Sequence, residues 1–155
     1  MAIGADGVCA VQLGALTDSQ VRDCRLVLLI QRRNIGRGSR HMVTEHLFQP
    51  NANRELANKV AYDMSLSPPR VAIPSLRAVL EYDFTEPLKE ISVPIVAIDS
   101  DLGEPVNEAR IRKVLPKFHA TIITGVGHFL MMEDPARFNA ALETEIQALR
   151  NPAGS

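Results

Sequence analysis

A chain of 155 residues, 46% hydrophobic and 23% charged, has the makings of one ordinary globular domain, and a formal net charge of −1 biases it toward neither acidic nor basic partners. The densest basic stretch, Arg32, Arg33, Arg37 and Arg40, has no aromatic residue interleaved, which argues against nucleic-acid binding. Cys9 and Cys24 are too few for a disulfide framework, no apolar run approaches the roughly 20 residues of a membrane span, and no secretory pattern stands at Met1; a cytoplasmic chain with reduced thiols is expected.

Residues 3–16 are apolar and punctuated by glycine, which predicts one short buried strand leading into a loop. Thr17-Asp18-Ser19 can cap a helix in which Val21, Cys24, Val27 and Leu28 recur at helical spacing, ending near Gly36 and Gly38. Ser39 can cap the next, with Met42, Val43 and Leu47 inward. Asn51 or Asn53 opens a third, with Leu56, Val60 and Met64 inward, closed by Ser67-Pro68-Pro69. A fourth is predicted over 70–82, turning Val71, Ala72, Leu76, Val79 and Leu80 to the inside. Four successive helices make a distinct helical block.

The pattern changes at Val93. The run Val93-Pro94-Ile95-Val96-Ala97-Ile98 has the continuous apolar character of a parallel strand covered on both faces. A helix over about 104–115, a second strand over Ala120-Thr121-Ile122-Ile123, and a last helix from Asp134-Pro135 follow, with Phe138, Leu142, Ile146 and Leu149 as its buried stripe. Strand, helix, strand, helix is an α/β unit.

In such sheets functional groups collect just past the carboxyl ends of the strands. Asp99-Ser100-Asp101 follows the first strand and Gly127-His128 the second, so a carboxylate and an imidazole lie at ends only about 4.8 Å apart if the strands are neighbours. A carboxylate there can orient an imidazole and stabilise its protonated form, the general-base half of a nucleophilic triad.

Gly125-Val126-Gly127-His128-Phe129-Leu130 with Glu133-Asp134-Pro135 resembles the histidine loop of the α/β-hydrolase family, and Val93 to Ile98 with Asp99-Ser100-Asp101 resembles its acid strand and turn. Asp101 before His128 agrees with the family's order of nucleophile, acid, histidine. Met64 to Pro69 and Tyr82-Asp83 resemble lid segments of one subgroup. The resemblance covers about residues 3–150. It implies an α/β fold, the C-terminal portion of an α/β-hydrolase: about three parallel strands, the last three of eight, with flanking helices. Residues 1–16 and 84–155 would form the partial core and 17–83 a helical lid (cap).

The resemblance implies that His128 is the general base and Asp101 its acid, with Asp99 and Glu104 as rivals for the acid because the family's commoner spacing falls at Leu102 and Gly103. No serine is flanked in the G-x-S-x-G manner of the family's nucleophile turn. Gly7-Val8-Cys9-Ala10-Val11 matches half of a cysteine version, and Cys9 is read as a small buried hydrophobe. The implied activity is hydrolysis, esterase-like, on a small hydrophobic ester-like substrate. Dehalogenation, epoxide opening and carbon–carbon cleavage stay open, and the chain alone is expected to be inactive. The alternative is a non-catalytic truncated fragment, or an interaction or ligand-binding module. Either would expose a strand edge that invites a complementary N-terminal segment or self-association. No cofactor and no metal site are expected. His41 and His46, five apart, are expected on different helix faces, and Met131 and Met132 are expected to pack.

Overall fold

The computed structural model describes residues 2–3, 9–10, 35–82, 85–103 and 106–151. The predicted helix after Thr17 and the acid candidate Glu104 lie outside them.

Near the start, β1 (Ala2–Ile3) and β2 (Cys9–Ala10) pair antiparallel, Ala2 opposite Ala10 and Ile3 opposite Cys9. They form a sheet of their own, where a third parallel strand was expected.

Helix α1 (Ile35–His46) starts four residues before the expected Ser39 cap, taking Gly36 and Gly38 into its first turn and burying Ser39. Helix α2 (Arg54–Ser65) is capped by Asn53, whose side-chain oxygen accepts the N–H groups of Glu55 and Leu56. The two pack through Val43, Leu47, Phe48, Ala57, Val60 and Ala61. Ala57 and Ala61 take the inner positions, letting the helices approach closely, while Met64 is exposed, against expectation. His41 and His46 do meet, edge to face with centroids 5.7 Å apart, because His46 ends the helix and its ring can swing across.

Helix α3 (Pro69–Glu81) carries Pro74 inside it and exposes Val71, so the expected inner face is only partly realised. A short α4 (Thr85–Lys89) follows.

Strand β3 (Val96–Ser100) begins later than predicted: Val93 is 67% exposed and Pro94, lacking an N–H, stays out of the ladder. It pairs in parallel with β4 (His119–Ile123), from Val96 opposite His119 to Ser100 opposite Ile123. Only Ser100 and Ile123 of the two strands are buried, so the predicted cover on both faces is not met among the described residues. Between them α5 (Glu108–Ile111) is capped by Asn107 and is much shorter than the predicted helix.

After β4 come α6 (Leu130–Glu133) and α7 (Pro135–Arg150), the latter capped by Asp134 with proline in its first turn, as expected. Its expected buried stripe is corrected: Phe138 is half-buried, but Leu142, Ile146 and Leu149 are 40%, 39% and 45% exposed. The buried residue is Glu145, whose carboxylate accepts the Thr121 hydroxyl of β4. Among the described residues a two-stranded sheet lies against α7, and the stripe is left outside that contact. Met131 and Met132 are likewise exposed.

Candidate active site

The equal register of β3 and β4 brings the turn after Ser100 alongside the loop after Ile123. Ile123, Val126 and Leu130 are buried together, with Ile98, Phe138 and Ala141 against them, and this anchors the histidine loop from below. Arg137 ties the same loop to α7, donating to the Thr124 carbonyl while pairing with Asp134.

Asp101 reaches that loop. Its Oδ1 accepts the Gly125 N–H at 2.8 Å and the Gln49 side-chain amide at 3.3 Å. Its Oδ2 carries no hydrogen bond among the described residues. Gly125 has φ 75°, a left-handed backbone that favours glycine and aims its N–H at the carboxylate.

Asp99 is occupied differently. Oδ1 accepts the N–H of Ser100 and Oδ2 that of Val106 at 2.9 Å, so this carboxylate folds the turn between β3 and α5.

His128 stands exposed at the loop tip. Its backbone N–H donates to the Leu47 carbonyl at 2.8 Å, and its ring lies edge-on to Phe129, centroids 5.3 Å apart. No hydrogen bond or ion pair joins its imidazole to Asp99 or Asp101. Asp101 and His128 are thus linked through the loop backbone, three residues apart at Gly125.

Two further residues shape the site, and the sequence reading assigned neither a role. Glu133 accepts the Gly127 N–H at 2.8 Å. Burial pushes its carboxyl above the usual carboxylate value, and the N–H groups of Gly127 and Phe129 partly oppose this. The signal for it was its place in Glu133-Asp134-Pro135, the segment that resembles the end of the family's histidine loop. Gln49, whose amide also donates to the Val126 carbonyl at 3.2 Å, had none. Gly127 fits where no side chain could: a Cβ there would lie 2.5 Å from the Leu47 carbonyl oxygen and 2.8 Å from Phe48 Cα. Among the described residues no group of three or more His, Cys, Asp or Glu is placed to hold a metal, and no helix is long and apolar enough to cross a membrane.

No family model matches the sequence, and no curated protein matches it. Solved structures do match. A hydrolase from Oleispira antarctica superposes with TM-score 0.72 at 18% identity, over 94% of this chain and 53% of that one. An esterase from Exiguobacterium antarcticum gives 0.70 at 13%, over 87% and 53%, and a bromoperoxidase from Bacillus anthracis gives 0.66 at 18%, over 86% and 50%. The shared architecture is the α/β-hydrolase fold. The chain spans about half the length of these structures, consistent with the C-terminal portion of that fold.

Proposed function

We propose that this chain supplies the acid and general base of an esterase-like hydrolase, Asp101 and His128, to a nucleophile held outside residues 1–155. The observation that carries the reading is the Asp101 carboxylate bound to Gly125, across the ends of two adjacent parallel strands and within the loop that bears His128. With Oδ1 occupied, Oδ2 is the atom open to an imidazole N–H, which would fix the tautomer whose other nitrogen takes the nucleophile's proton. Asp99 is spent on its own turn, which favours Asp101 as the acid.

In this reading residues 17–83 form the lid, 1–16 and 84–155 the partial core, and the substrate is a small hydrophobic ester, in keeping with the esterase among the structural neighbours. Without a nucleophile and oxyanion donors the chain alone is inactive, and it works in the cytoplasm. The test is co-expression with a segment carrying a G-x-S-x-G nucleophile turn, followed by assay of a generic aryl ester. Turnover that His128→Ala and Asp101→Asn abolish supports the reading; turnover indifferent to His128→Ala removes it.

A second reading, a non-catalytic interaction module, is favoured by the exposed Leu142, Ile146 and Leu149 and by the exposed His128 ring. The same assay separates the two, since a module yields no turnover with any nucleophile segment while still binding it.

A further inference from the structure

The connector between α1 and α2 runs alongside the histidine loop. Leu47 accepts the His128 N–H, the Phe48 ring stacks on Phe129 with centroids 5.3 Å apart, and Gln49 bonds the Val126 carbonyl. Leu47 and Phe48 are buried, so the connector is held by its own apolar anchors. Gln49 adds what they cannot. Its amide reaches both the turn after β3 and the loop after β4 from a third segment of the chain.

The chemistry selects this residue type. A primary amide carries two N–H bonds in one plane, and here one goes to a carboxylate and the other to a carbonyl. Turning the amide over would set its oxygen against two acceptors, so the network fixes its orientation. Glutamate would place a third acceptor there, and asparagine is one methylene shorter.

We infer that Gln49 is a positioning residue for the Asp101–His128 pair. It holds Oδ1 of Asp101, leaving Oδ2 for an imidazole N–H, and it couples the α1–α2 connector to both loops. The inference rests on the proposed roles of Asp101 and His128.

The experiment uses the full chain with two variants of nearly unchanged length, Gln49→Met and Gln49→Glu. Two NMR readouts report on the carboxylate: the 13C resonance of Asp101 Cγ at neutral pH and amide hydrogen exchange at Gly125. Amides of the β3–β4 ladder, such as Thr121, serve as the folding control. A displaced Asp101 resonance with Gly125 exchanging about fivefold to tenfold faster in both variants, and ladder protection kept, is the expected result. If Gln49→Met loses ladder protection, Gln49→Glu decides. An unmoved Asp101 resonance and unchanged Gly125 exchange in a folded variant overturn the inference. In the co-expression assay, Gln49→Met should lower kcat about tenfold with KM unchanged, and an unaffected kcat overturns it too. Failure of the catalytic reading shows separately, as turnover that His128→Ala does not change.

Discussion

Glu133 and Gly127 are matched to each other: Oε1 of the glutamate accepts the glycine N–H at 2.8 Å, and the same oxygen would lie 2.8 Å from a Cβ placed on that glycine. The histidine loop is therefore clamped between a half-buried carboxylate and the α1–α2 connector, with no room for a methyl group.

Gly127→Ala should destabilise the chain by about 1–3 kcal/mol, because the Leu47 carbonyl and Phe48 Cα are backbone and cannot turn aside. Gly125→Ala has open space around its Cβ and should cost about 1–2 kcal/mol through its left-handed backbone alone. Urea midpoints check both, and a Gly127→Ala chain as stable as wild type would contradict the packing described.

The raised carboxyl of Glu133 makes a signed prediction. A carboxyl that holds its proton more tightly when folded contributes stability present below the ordinary value of 4.5 and lost as pH rises through its folded value. Glu133→Gln keeps an acceptor for Gly127 and removes the ionisation. Its stability relative to wild type should rise as pH climbs from about 4.5 through the weakly acidic range. Parallel denaturation curves at every pH would show that Glu133 carries none of the dependence.

Asp99 and Asp101 should separate cleanly. Asp99→Asn leaves one of two backbone N–H groups without its acceptor and should cost about 0.5–1.5 kcal/mol while leaving co-expressed turnover in place. Asp101→Asn should abolish turnover. The opposite pattern would move the acid role to Asp99.

The exposed stripe on α7 predicts association. Replacing Leu142 and Ile146 by glutamine should cost the isolated chain no more than about 1 kcal/mol per site, since 40% and 39% of each is already exposed. Sedimentation should show less self-association. A wild-type chain that sediments as a monomer at every concentration would remove the basis for it.

Much of the layout was legible because local chemistry decides it. Asn51 or Asn53 was expected to open a helix and Asn53 caps it, Asp134-Pro135 starts one as its residue types suggest, and Ala120 to Ile123 lies in a strand. The parallel pairing followed from chain order and strand polarity, whereas the expected carboxylate–imidazole contact is not made: Asp101 binds the backbone of the histidine loop at Gly125. What stayed hidden depends on contacts across long stretches of chain. Helical period says that Leu142, Ile146 and Leu149 share a face, but not whether anything lies opposite. Glutamine in a connector carries no motif, so Gln49 became visible only once residues 52 and 77 positions away stood beside it.

The connector's grip on the histidine loop spans 77 residues of sequence, whereas β3 and β4 zip together over about two dozen. Closing the longer span costs more chain entropy and comes later in folding. Among the described residues, the His128 N–H held by Leu47 should therefore exchange its hydrogen sooner than the amides of the β3–β4 ladder.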